Sequence, residues 1–176
     1  MFRSLLLSLA LMATPLAAHA AEPAEAALAG LPNVSFPAPH RVASGRLQAD
    51  DVAALQRAGI KRVVDLSADS ETPAFDEAAA MRQAGIGYTN LPIRGAGDLT
   101  RANVVRFDQL LREAGTQETL VHCASGNRVG AMIALRAAWI DGKSSEAALA
   151  EGRRWGMKSL EPAVRERLQA RAGETP

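Results

Sequence analysis

The segment LVHCASGNRVG (residues 120–130) carries the only cysteine of the chain, Cys123, between His122 and a run of small residues that ends at Arg128. TLVH (residues 119–122) reads as a strand and a helix starts near Asn127, so Cys123 falls just past a strand's C-terminal end. Ligands of open α/β sheets collect at such ends, and a loop entering a helix points backbone N–H groups at whatever lies there. Ala124 and Ser125 are small, and Gly126 is free to take dihedrals closed to other residues, so successive N–H groups can curl into a nest for an anion. Arg128 adds a guanidinium fork suited to two oxygens of a phosphate or sulfate. Nest, helix dipole and Arg128 would together stabilise a thiolate at Cys123 and make it a nucleophile. Composition alone leaves a second reading open, because a free cysteine also packs as a small, inert core residue.

Working outward, strands alternate with helices. Residues 34–36 read as a short edge strand, followed by strands at residues 40–43, 62–66 and 87–93. A first helix is capped by Asp50 and stopped by Gly59, and a second is predicted to start at Thr72-Pro73 and close at Gly85. Thr100 caps a third, with Val104, Phe107, Leu110 and Leu111 on one face and Gly115 at its end. Helices over residues 127–141, 145–154 and 159–171 complete the chain. Such alternation, with short connections, predicts an α/β fold: a single domain with a mostly parallel central sheet flanked by helices. In GRRWGMKSLEP (residues 152–162), Trp155 and Met157 read mainly as packing residues.

The chain opens MFRSLLLSLALMATPLAAHA, with a basic start, an apolar run and an Ala-His-Ala cleavage pattern, and residues 1–20 read as a secretory signal peptide. Residues 21–39 read as an irregular lead-in. The expected location is the periplasm or the outside of the cell, with no stable membrane insertion once the leader is removed. Taking the first 20 of the 176 residues away leaves 156, enough for one cored domain, and removes Arg3, so the net charge of +1 falls to zero. A neutral chain offers no electrostatic reason for a nucleic-acid partner. With one cysteine and three histidines, no zinc cluster is expected, and neither metal nor cofactor is invoked.

HCASGNR resembles the His-Cys-x-x-Gly-x-x-Arg loop of cysteine-dependent phosphatases, the dual-specificity and tyrosine phosphatase-like proteins in particular. GIKRVVDLSADSET, AGIGYTNLPI and LTRANVVRFDQLL resemble the strand and helix segments that precede the loop in that superfamily. The resemblance is strongest to small bacterial phosphatase-like proteins that also occur fused to hydrolases and are sometimes labelled sulfur transferases. It implies a phosphatase-like domain over residues 40–172 acting on a small anionic or phosphorylated substrate. In the implied chemistry Cys123 attacks phosphorus, water hydrolyses the phosphocysteine, and Arg128 with the backbone N–H groups of Ala124, Ser125, Gly126, Asn127 and Arg128 holds the oxygens. His122 would sit beneath the loop and bond to neighbouring backbone, or else be a satisfied buried histidine without a role. Asp98, the only carboxylate of PIRGAGDLT (residues 92–100), is the implied general acid; it equally suits capping of the following helix.

Two features depart from the phosphatase pattern. Four residues separate Cys123 from Arg128 where the phosphatase loop has five, a length that resembles rhodanese-type sulfurtransferases, in which the cysteine carries a persulfide. Val129 stands where phosphatases usually have a serine or threonine. The upstream segments resemble the phosphatase scaffold and lack the loop that rhodaneses carry before their penultimate strand. The reading is therefore a cysteine-dependent phosphatase, with sulfur transfer or non-catalytic anion binding as alternatives.

Overall fold

The computed structural model describes residues 23–172. The expected leader lies outside the described residues. Five strands form one sheet in the order β1-β2-β5-β3-β4. β1 (Ser35–Ala38) and β2 (Arg41–Ser44) form an antiparallel pair. β3 (Arg62–Asp65), β4 (Gly87–Asn90) and β5 (Thr119–His122) run parallel to β2. All four β5 residues are buried, as expected of a strand at the centre of a parallel sheet covered on both faces.

Alternation along the strands divides the core in two. Val42, Val63 and Leu120 pack toward α1 (Ala24–Leu28), α2 (Val52–Arg57) and α3 (Glu77–Gln83). Ala43, Val64 and Val121 pack toward α4 (Arg101–Ala114), α5 (Asn127–Trp139), α6 (Ser145–Arg154) and α7 (Glu161–Ala172). Trp155 and Met157 lie in this second half of the core.

Helix boundaries follow cap chemistry, and the starts of α2 and α3 differ from expectation. α4 starts where predicted, with the Asn103 N–H donating to Thr100 Oγ1 at 3.3 Å, and ends at Gly115. α3 starts at Glu77, not at Thr72-Pro73: Asp76 accepts the Ala79 N–H at 2.9 Å and is the cap. The earlier start is lost because Glu71 accepts the Ala68 N–H at 2.9 Å and closes a 3-10 turn over Asp69–Glu71. Before α2, Asp51 rather than Asp50 does the capping, accepting the Gln48 N–H at 2.7 Å. The lead-in is not wholly irregular, since it carries α1 and β1, and Ala27, Leu28 and Leu31 are buried in the first core half.

α5 and α6 cross backbone to backbone. A Cβ on Gly130 would stand 2.3 Å from the Met157 nitrogen and 2.4 Å from the Gly152 oxygen, and one on Gly152 would stand 2.7 Å from the Gly130 oxygen. These are main-chain atoms that cannot rotate aside, so Gly130→Ala must push the helices apart. Overpacking of this kind costs about 2–3 kcal/mol, a fall in Tm of roughly 5–10 °C. Thermal unfolding of the variant checks this, and a Tm within a degree of the parent would remove the crossing as a constraint.

Candidate active site

β5 ends at His122, and Cys123, fully buried, is the next residue. The loop after it is pinned from the side by the segment that follows β2: Ser125 bridges to Gly45, and the Arg46 N–H donates to the Ala124 oxygen at 3.3 Å. Gly126 takes φ 82°, ψ −14°, a left-handed conformation that a side chain would strain, and turns the chain into α5. The first bond of that helix runs from the Gly130 N–H to the Gly126 oxygen at 3.0 Å, and no side chain caps it. Its leading N–H groups are thus without partners inside the helix, and the positive end of the helix dipole lies at the Cys123 loop.

Arg128, only 8% exposed, faces the same place. Its Nη1 donates to the Ile93 oxygen at 2.9 Å and to Glu71 Oε1 at 2.7 Å, and its Nη2 donates to Glu71 Oε2 at 2.7 Å. A longer contact of 3.4 Å reaches the Leu66 oxygen. Guanidinium has five N–H donors; these three bonds leave two, on Nε and Nη2, a pair spaced for two oxygens. The hydrogen bonds Arg128 donates to Glu71 push it above the usual arginine value against the opposing effect of burial, and neighbouring Cys123 adds to the rise. The same hydrogen bonds hold the Glu71 carboxyl down at about 2. Arg46, half-buried, adds positive charge near Glu71, and its buried Nε has no hydrogen-bond partner among the described residues.

Glu71 and Arg46 join the site without belonging to any motif of the sequence. Both follow the C-terminal ends of β3 and β2, the two strands that flank β5. Charged residues a few positions beyond a predicted strand were the available signal.

The remaining predicted residues are placed as follows. Ala124 and Ser125 form the loop and Gly126 its turn. The Asn127 side chain points away to the α6–α7 connection, where Oδ1 accepts the Lys158 N–H at 2.8 Å and Nδ2 donates to Ser159 Oγ at 2.8 Å. Asp98 Oδ2 accepts the Arg94 N–H at 2.8 Å, and the Asp98 main-chain oxygen accepts from Asn103 Nδ2 at 2.7 Å. Its carboxylate is therefore folded into its own loop and accepts no N–H of α4, whose cap is Thr100.

His122 departs from both readings given above. Its ring does not bond to backbone: Nε2 lies 2.8 Å from Glu77 Oε1 and 3.5 Å from Asp65 Oδ1. Although the first distance is short, the carboxylate oxygen is off the line of the ring N–H, and neither ring nitrogen has a partner in hydrogen-bonding geometry among the described residues. Asp65, Glu77 and His122 offer ligand atoms within 4.8 Å of one another, a set outside a count of histidines and cysteines because the two carboxylates reach His122 only through the fold. Burial, helped by Asp65 and Glu77, pushes the Tyr88 phenol well above its usual range, so its hydroxyl stays a donor to Asp65 Oδ2 at 3.0 Å.

No curated protein sequence matches the chain. Among solved structures, a DUF442 protein of Shewanella putrefaciens CN-32, described as a candidate phosphatase, is similar with TM-score 0.65 at 21% identity, over 85% of this chain and 97% of that one. TpbA of P. aeruginosa is similar with TM-score 0.62 at 25% identity, over 78% of this chain and 84% of that one. A cysteine-to-serine variant of TpbA, similar with TM-score 0.60 at 24% identity over 81% and 91% of the two chains, was solved in complex with pTyr. A family model for the DSP-PTPase phosphatase domain of Swiss Army Knife proteins matches residues 32–167. With a cysteine at the end of the central strand, an uncapped helix behind it and a buried arginine facing it, the chain belongs to this DSP-PTPase phosphatase-domain family.

Proposed function

We propose that the protein is a cysteine-dependent phosphatase that hydrolyses phosphomonoesters through a phosphocysteine, acting in the periplasm or outside the cell. The observation that carries this reading is the convergence on Cys123 of an uncapped helix N-terminus and the two Arg128 donors not taken by Glu71 or Ile93. A phosphoryl group on the sulfur would have its equatorial oxygens among those donors, where transition-state charge is greatest. The Cys123 thiolate attacks phosphorus, the S–P bond forms and the ester P–O bond breaks. Asp98 gives its proton to the leaving oxygen, then takes one from the water that attacks phosphorus, releasing phosphate and the thiolate. For this the Asp98 side chain must leave the Arg94 N–H, a motion open to a glycine-containing loop. Glu71 is a positioning residue that holds the guanidinium at the ends of β3 and β4. Phosphotyrosine is the substrate class suggested by the TpbA complex.

Sulfur transfer is the second reading, favoured by the four residues between Cys123 and Arg128. The two are separated by activity. Hydrolysis of p-nitrophenyl phosphate is expected, and Cys123→Ser should lower it by about 10³-fold or more. Thiosulfate-to-cyanide transfer with the same dependence, and no hydrolysis, would replace the first reading with the second.

Asp98→Asn should slow hydrolysis of phenyl phosphate by about 10²-fold and that of p-nitrophenyl phosphate far less, because only the poorer leaving group needs the proton. Equal slowing on both substrates would remove Asp98 as the acid.

The Glu71–Arg128 pair predicts a pH signature. A carboxyl held at about 2 in the folded chain, against 4.5 ordinarily, contributes stability that is complete above pH 4.5 and is lost as pH falls toward 2. Glu71→Gln should therefore narrow the gap in urea midpoint between pH 7 and pH 3; an unchanged gap would contradict the pairing.

A further inference from the structure

Behind the nucleophile loop, three side chains from three separate elements meet with their polar atoms facing one another. Asp65 ends β3, Glu77 opens α3 and His122 ends β5; they are 4%, 5% and 1% exposed. Nε2 of His122 stands 2.8 Å from Glu77 Oε1 and 3.5 Å from Asp65 Oδ1. Atoms bound to one metal at about 2.0–2.2 Å stand roughly 2.8–3.6 Å apart, from right-angled to tetrahedral arrangements, so the spacing suits ligands of a shared ion. The orphaned atoms point the same way, because Glu77 Oε1 and both ring nitrogens of His122 are buried without a hydrogen-bond partner among the described residues. A native fold seldom leaves such groups unsatisfied.

Charge gives a second argument. Two buried carboxylates and one imidazole carry a net negative charge even when the ring is protonated. Among the described residues, His122 is the only basic side chain that forms an ion pair with either carboxylate. A divalent cation on a neutral imidazole brings the sum to zero and removes the cost of an unbalanced buried charge. Asp65 is already oriented as a ligand would be: Oδ1 accepts the Ser67 N–H at 2.7 Å, and Oδ2 accepts from Tyr88 Oη at 3.0 Å and Asn90 Nδ2 at 3.2 Å. A cavity of about 410 Å³ reaches Asp65 and Glu77 of the cluster, with Asp69 and Asp76 also in its lining and no basic residue. It supplies an entry path that attracts cations.

We propose that Asp65, Glu77 and His122 form a binding site for a divalent transition-metal ion, of the Zn2+ or Mn2+ class, that ties β3, α3 and β5 together behind the Cys123 loop. One nitrogen and two carboxylates suit these ions better than Ca2+, which takes six to eight oxygens. The site is independent of the phosphatase reading, and its test does not use activity.

The full chain, purified without a metal-binding tag, is tested with the Cys123→Ser substitution so that the neighbouring thiol cannot bind the ion. Equilibrium dialysis against Zn2+ should give about one bound equivalent, and Glu77→Gln in the same background should weaken binding by about 10-fold or more. At roughly 100 times its Kd, Zn2+ should raise Tm by about 5–10 °C. Should Glu77→Gln fail to fold, Co2+ loading of the Cys123→Ser chain decides: paramagnetic broadening of amide signals at residues 63–66, 76–78 and 120–123 supports the site. Uptake that disappears on Cys123→Ser alone, uptake untouched by Glu77→Gln, or broadening elsewhere would overturn it.

Discussion

A guanidinium is costly to bury, and Arg128 lies beneath the surface of this fold because three elements share its charge and donors. The carboxylate of Glu71 takes two of its N–H groups and the Ile93 carbonyl a third, so the ends of β3 and β4 and the start of α5 are tied to one planar group. Removing any of these partners would leave a buried charge short of an acceptor, which the interior penalises more than an equivalent change at the surface. The same bonds decide which edge of the guanidinium stays free. Structure and chemistry therefore depend on one orientation of one side chain.

That orientation relies on where α5 begins. The helix emerges from β5, the central strand, and its axis is held by the glycine crossing with α6, where Gly130 and Gly152 bring main chains into contact. Gly126 starts the helix without a capping side chain, so its amides remain available to an anion. A Ser or Asp cap would have stabilised the helix and occupied these amides.

The cluster of Asp65, Glu77 and His122 lies on the other side of the same strand end. His122 and Cys123 are adjacent in the chain, yet one faces buried carboxylates and the other faces the loop amides and Arg128. β5 thus separates a negative cluster from a positive one by a single residue step, through the alternation of side chains along a strand.

Much of this was legible from local signals. The strand at residues 119–122, the Thr100 cap, Gly115 as a stop and Gly126 as the turn before α5 each depend on a few neighbouring residues, and each stands where those residues predict. The single cysteine, its place before a helix and the arginine after it also belong to local sequence. Tertiary structure decided the rest. Thr72-Pro73 has the form of a helix start, but Glu71 has an ion pair with Arg128 to make, and the turn this requires moves α3 to Asp76. Glu71, Arg46, Asp65 and Glu77 are ordinary charged residues in the sequence and acquire meaning only where the fold brings strand ends and the start of α3 together. The physical reason is range: caps, turns and periodicity act over three or four residues, whereas charge balance in a buried site is settled between segments that only the folded sheet brings together.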